Sequence, residues 1–163
     1  MELREPRIDI VDDDELLRAL FVAIAEESGF CAKSYDSAES YLSKINNQSE
    51  STSPPLLAVI TDVRMPGKSG YELIHELKER NPNQKFAIIT GTPHDGIDKD
   101  ARACFYLKKP IDVNRLQTVF RKFQSCTQDL KNCRTEQPLC KSLCDLDDFG
   151  IDDWSCPLTS SPT

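Results

Sequence analysis

The chain has 163 residues, 39% hydrophobic and 29% charged, with a formal net charge of −7. That is one ordinary domain with some chain to spare, long enough to bury a core without disulfide staples. The negative balance argues against non-specific binding to nucleic-acid phosphates or to anionic membrane surfaces, and no apolar run reaches the roughly 20 residues of a membrane-spanning helix.

The N-terminal segment MELREPRIDIVDDDE has no apolar stretch followed by a small-residue cleavage site, so a cytoplasmic location is expected. The seven cysteines are odd in number, and Cys31 and Cys104 sit in apolar stretches. Reduced thiols are the expected state.

In chain order, short apolar runs alternate with amphipathic stretches. The runs are Ile8 to Val11, Phe30 to Tyr35, Leu56 to Thr61, Lys85 to Thr90 and Cys104 to Lys108. They read as strands buried on both faces. Leu16, Leu17, Leu20, Phe21 and Ile24 form one stripe of a first helix, with Gly29 where a C-terminus favours a left-handed residue. Asp36-Ser-Ala-Glu39 reads as a capping box for a second helix that buries Tyr41, Leu42 and Ile45. A third helix carries Leu73, Ile74 and Leu77 and ends before Pro82. A short, weak fourth is expected near Asp95 to Arg102. A fifth starts near Asp112 and buries Val113, Leu116, Val119, Phe120 and Phe123. Strand and helix alternating in this way imply an α/β fold, a parallel sheet with helices on both faces.

The character changes after about residue 126, which sets expected units at 6–125 and 126–163. The second unit is acidic and carries Cys126, Cys133, Cys140, Cys144 and Cys156. It is expected to be partly helical or disordered. Val119, Phe123, Cys126, Leu130 and Cys133 fall at spacings of four and three, which either belong to the core or offer a partner an apolar seam. The tail spacings lack the paired Cys units and nearby His of a structural zinc site.

In an open parallel sheet, ligands bind at the carboxyl ends of the strands. Strand one ends in Asp12-Asp13, strand three in Asp62, strand four in Thr90 and strand five in Lys109. Clustered carboxylates repel one another unless a cation joins them. A hard divalent cation such as Mg²⁺, which retains exchangeable waters, suits an all-oxygen donor set. Taken singly, each residue has an ordinary reading: acids at a helix N-terminus, a β-branched strand residue, a solvated lysine, a turn at Met65-Pro66-Gly67. Asp14 is assigned to that helix-end role.

Ile10-Val11-Asp12-Asp13-Asp14, Asp62-Val63-Arg64-Met65-Pro66-Gly67 with Gly70 beyond it, Thr90-Gly91 and Lys109-Pro110 occur in that order. Together they resemble the receiver domain of bacterial two-component response regulators, over about residues 6 to 125. The resemblance implies a doubly wound, flavodoxin-like, five-stranded parallel sheet of order 2-1-3-4-5. It implies that Asp62 accepts a phosphoryl group from a histidine kinase or histidine phosphotransfer protein. Asp13, Asp62 and the backbone carbonyl of Arg64 would ligate Mg²⁺, with Asp12 holding a metal-bound water. Lys109 would pair with the phosphoryl group and Thr90 would hydrogen-bond it. Tyr106 would be the switch aromatic that turns inward when Thr90 moves, and Gly91 would leave the approach open.

Two departures stand out. The run before the aromatic is Ala101-Arg-Ala-Cys-Phe105 where the family usually has Gly-Ala. The stretch from Thr90 to Lys109 is shorter than usual by about one helical turn. Both bear on the fourth helix, part of the family's usual output face. The expected function is therefore a phosphorylation-gated signalling switch acting through an unidentified downstream protein, with a phosphate sink or relay as the alternative. The resemblance implies that it catalyses only its own phosphorylation and dephosphorylation. No membrane partner is expected from the negative charge, and no nucleic-acid partner, because no helix-turn-helix pattern follows and the tail is acidic.

Overall fold

The computed structural model describes residues 5–47, 54–81, 84–91 and 103–132, with side chains to residue 124. Five strands form one parallel sheet in the order β2-β1-β3-β4-β5: β1 Arg7–Val11, β2 Cys31–Tyr35, β3 Leu56–Thr61, β4 Phe86–Thr90 and β5 Phe105–Lys108. Four helices lie between and after them: α1 Glu15–Glu27, α2 Ala38–Asn46, α3 Gly70–Arg80 and α4 Val113–Asn132. The expected helix near Asp95 to Arg102 lies outside the described residues, so the fifth expected helix is α4.

Alternation along each strand sorts side chains to two cores. Ile8 and Ile10 of β1, Ala58 and Ile60 of β3, Ala87 and Ile89 of β4 and Phe105 and Leu107 of β5 meet α1 and α4 residues, including Phe21, Ile24, Leu116 and Phe120. Val11, Val59, Phe86, Ile88 and Tyr106 point the other way, onto Tyr41 and Leu42 of α2 and Leu73, Ile74 and Leu77 of α3. Edge-to-face pairs of Phe30 with Phe120 (5.8 Å between centroids) and Phe105 with Phe123 (5.0 Å) fasten α4 to the first core. Each such pair adds about 0.5–1.5 kcal/mol beyond its buried area.

Several local expectations need correction. β2 is an edge strand, and its residues are only partly buried, because one long side of it has no neighbour. The α1 stripe is narrower than expected. Phe21, Ile24 and Ala25 are buried, whereas Leu16 is 82% exposed and Leu20 44%. Leu16 and Leu20 sit one residue, about 100° of helix rotation, away from the line of Leu17, Phe21 and Ile24. Val113 is likewise exposed, being the first residue of α4 before its buried face begins. Val119 and Phe123 lie in the core, as expected of the fifth helix, and α4 runs on to Asn132. Beyond Asn132 the expected tail lies outside the described residues.

The second helix starts one residue later than the expected capping box. Its N-cap is Ser37, extended at φ −154° and ψ 159°, and its hydroxyl accepts from the Ser40 amide. Asp36 instead accepts from the Ser40 hydroxyl, and Glu39 is released for another contact. A capping box does occur at α3, between Ser69 and Glu72. Gly29 has φ +90°, as its place after the Ser28 C-cap requires. Among the described residues, neither Cys31 nor Cys104 is in a disulfide.

Candidate functional site

The parallel topology brings the C-terminal ends of β1, β3, β4 and β5 to one edge. Asp12 and Asp13 follow β1. Asp14 then caps α1, its carboxylate accepting from the Leu16 and Leu17 amides at 3.0 and 3.1 Å. That cap turns the chain sharply and leaves Asp12 buried and Asp13 exposed. Asp12 is fixed on both sides: one oxygen accepts from the Asp14 amide, while Arg18 donates to its backbone carbonyl.

Asp62 follows β3, 8% exposed, with its amide bonded to the Val11 carbonyl. One carboxylate oxygen accepts from the Val63 amide at 2.7 Å and the other from Lys109 Nζ at 3.1 Å. Lys109 also donates to Asp12 at 2.9 Å. Its own amide bonds the Thr90 carbonyl, which ties the end of β5 to the end of β4. The Lys109–Pro110 peptide is cis.

Burial raises the Asp62 pKa most, and the Asp12 charge adds to this; Lys109 and the Val63 amide oppose them without cancelling the rise. For Lys109, burial is the largest single influence and acts downward. The hydrogen bonds to Asp12 and Asp62 and their charges outweigh it, and its pKa is raised. The pair is therefore an ammonium held between carboxylates in a half-dry pocket.

Carboxylate oxygens of Asp12, Asp13 and Asp62 lie within 4.8 Å of one another. This is a compact, all-oxygen donor set at a partly open edge, which suits a hard divalent cation better than a softer metal. Arg64 lies exposed two residues past Asp62, and Met65 anchors the same loop in the core that contains Tyr106. Thr90 is buried at the end of β4. Among the described residues, a methyl group on the neighbouring Gly91 would meet no atom within 4 Å. Tyr106 is buried on the other side of β5 from Leu107, and its hydroxyl accepts from the Ala103 amide at 3.0 Å.

A second polar cluster was not anticipated. Asp9, in the middle of β1, is buried and accepts from Arg7 Nε at 2.8 Å, Arg7 Nη2 at 3.3 Å and the Tyr41 hydroxyl at 2.9 Å. Burial raises the Asp9 pKa above its ordinary value, and Arg7 and Tyr41 pull it only part of the way back. Burial and the Asp9 charge push the Tyr41 phenol upward. The odd acid in Ile8-Asp9-Ile10 was the available signal, because an ion inside a strand with both faces covered demands partners.

The chain belongs to the family of response regulator receiver domains, whose pattern matches residues 8–121. It is 32% identical over 128 residues to the transcriptional regulatory protein AruR of Pseudomonas aeruginosa, covering 72% of this chain and 50% of that protein. It is 31% identical over 110 residues to the transcriptional regulatory protein FixJ of Azorhizobium caulinodans, covering 64% and 48%. The chain thus spans about half the length of these curated relatives. Both relatives are named as transcriptional regulators, so they lend no support to the expectation that nucleic acid plays no part in the output.

Among solved structures, the Thermotoga maritima response regulator TrrA, in complex with Mg²⁺ and BeF, is 26% identical with a TM-score of 0.62, covering 72% of this chain and 98% of that one. A receiver domain from Methylobacillus flagellatus, described as CheY-like, is 25% identical with a TM-score of 0.62, covering 73% and 98%. Fold and strand order agree with this family. No helix among the described residues is long and apolar enough to cross a membrane.

Proposed function

We propose that this chain is a phosphorylation-gated switch of a two-component phosphorelay in the cytoplasm, with Asp62 as the phosphoryl acceptor. The observation that carries the reading is a buried carboxylate held by Lys109 and clustered with Asp12 and Asp13 at the sheet edge. An Asp62 oxygen attacks the phosphorus of a phosphohistidine, an O–P bond forms as the N–P bond breaks, and the imidazole leaves with the electron pair and takes up a proton. Asp62 is already oriented for this, because the Val63 amide and Lys109 each hold one of its oxygens.

Asp13, Asp62 and the Arg64 carbonyl would hold Mg²⁺, with Asp12 reaching it through water. Bound there, the ion neutralises charge on the phosphoryl oxygens. Lys109 exchanges its carboxylate contacts for the phosphoryl oxygens, and Thr90 donates its hydroxyl to one of them. Phosphorylation replaces a single negative charge by roughly two and adds acceptors. Movement of Thr90 toward them opens space that Tyr106 answers from inside the second core.

The donor is a histidine kinase or a histidine phosphotransfer protein. Leu16 and Leu20, one turn apart on the exposed side of α1 just behind Asp14, offer it an apolar landing beside the acids. Output passes through protein–protein contacts with a downstream partner.

The test is intact-mass measurement after treatment with acetyl phosphate, with and without Mg²⁺. One phosphoryl group should appear on the wild-type chain only with the metal, and Asp62→Asn should remain unlabelled. Labelling of Asp62→Asn to the wild-type extent would overturn the assignment.

A further inference from the structure

The loop from Asp62 to Ser69 joins β3 to α3 and carries both the acceptor carboxylate and the Arg64 carbonyl. Its two ends are fastened from within the sheet and α3. At the start, the Asp62 amide bonds the Val11 carbonyl. At the finish, the Gly70 amide bonds the Val63 carbonyl at 3.0 Å and the Ser69–Glu72 capping box opens the helix. Met65 is buried between these ends.

The outer half of the loop, Pro66 to Lys68, is fastened by a different element. Glu39, in the first turn of α2, accepts the Lys68 backbone amide on Oε1 at 2.7 Å. The neighbouring Gly67 has φ +82°, and a Cβ there would collide with the same Glu39 carboxylate. The two positions are complementary: a bare, left-handed backbone at 67 is what lets Glu39 reach the amide at 68. The Lys68 side chain turns away to Glu76 of α3 at 2.6 Å, so the amide and the ammonium of one residue tie the loop to two helices.

The Lys68 amide is the largest cause holding the Glu39 carboxyl below its ordinary range. Glu39 is therefore a charged acceptor at neutral pH. Its exposure makes it a minor contributor to global stability, whereas its geometric effect falls on a loop that otherwise has few attachments.

We propose that Glu39 is a positioning residue for the phosphorylation site. It pins the outer half of the β3–α3 loop to α2 and thereby holds the Arg64 carbonyl where a divalent ion needs it. The inference rests on the reading of Asp62 as an Mg²⁺-dependent acceptor.

The experiment compares the full chain with Glu39→Ala, Glu39→Gln and Glu39→Asp. Amide exchange of Lys68 is measured without metal, Mg²⁺ affinity by titration followed through loop amide shifts, and thermal unfolding alongside. In Glu39→Ala the Lys68 amide should lose protection by about tenfold. Mg²⁺ affinity should fall by about tenfold, the low end for a residue that orients a metal ligand from outside its coordination shell. The unfolding midpoint should stay close to wild type. Glu39→Gln, whose amide oxygen still accepts, should recover most of both losses. Glu39→Asp, one methylene too short, should not.

Wild-type protection and affinity in Glu39→Ala would overturn the proposal, as would a Gln variant no better than Ala, which would reduce Glu39 to a helix-end charge. If the wild-type chain takes no phosphoryl group with Mg²⁺, the reading of the site fails instead. The metal-free exchange of Lys68 still judges the loop attachment in that case.

Discussion

Replacing Lys109 by Met keeps the volume of the side chain and removes its ammonium from between two carboxylates. Lys109 Nζ lies 2.9 Å from Asp12 and 3.1 Å from Asp62. A hydrogen bond to a charged group is worth about 1.5–3 kcal/mol, and burial of the ammonium offsets part of two such bonds. With the Lys109 side chain 19% exposed, the net loss in Lys109→Met without metal should be about 2 kcal/mol. The loss depends on the carboxylates being charged. Below the raised Asp62 pKa the Asp62 part of the contact weakens in wild type as well, so the two proteins should draw closer in stability as pH falls. At the other extreme, the raised Lys109 pKa means that its contribution is complete below the ordinary 10.5 and is lost as pH rises through the folded value.

A divalent cation supplies the missing positive charge. An ion in hundredfold excess over its dissociation constant stabilises by about 2.7 kcal/mol. Lys109→Met should gain about 1 kcal/mol more from it than wild type, a roughly fivefold tighter site. The assay is urea unfolding at neutral pH in chelator and in excess Mg²⁺, with m-values compared to confirm the same transition. An equal Mg²⁺ increment in both proteins, or a weaker one in the mutant, would refute the view that Lys109 and the ion neutralise the same acids.

Asp9→Leu should cost about 3 kcal/mol in chemical denaturation, because it strands Arg7 and the Tyr41 hydroxyl in the interior. Arg7→Leu combined with Asp9→Leu should recover most of that loss, and failure to recover would show that the cluster does not act as a pair. Since burial raises Asp9 above 3.8, its contribution to wild-type stability is complete below that value and is lost as pH rises through the folded pKa; the double variant should lack this slope. Gly70→Ala would drive a Cβ into the Asp62 carbonyl, with Thr61 Oγ1 only 3.1 Å away. It should lose about 1–3 kcal/mol and slow acetyl phosphate labelling, whereas unchanged labelling would show that the Asp62 backbone tolerates displacement.

Much of the candidate site was legible in the chain itself. Short apolar runs set the strands, and the residue that ends each run is a local fact, so Asp12, Asp13, Asp62, Thr90 and Lys109 could be placed at strand ends by counting. Parallel winding then sends all those ends to one edge, whatever the details of packing. Asp14 as the cap of α1 and Gly29 after its end are equally local, each depending on a few neighbouring dihedrals. The Ser69–Glu72 box was there to be read as well and was missed, while Asp36 to Glu39 imitated one.

Only the tertiary structure decided which neighbours meet across distance. Periodicity gives a helix an apolar side, but the line along which it touches the sheet decides that Phe21 and Ile24 are buried while Leu16 and Leu20 face out. Asp9 finds Tyr41 thirty-two residues away, and Glu39 finds the Lys68 amide twenty-nine away. No local rule selects such partners, because a carboxylate can satisfy its helix end, a neighbouring hydroxyl or a distant amide at similar cost. The choice among them is made by how α2 lies against the sheet and the β3–α3 loop.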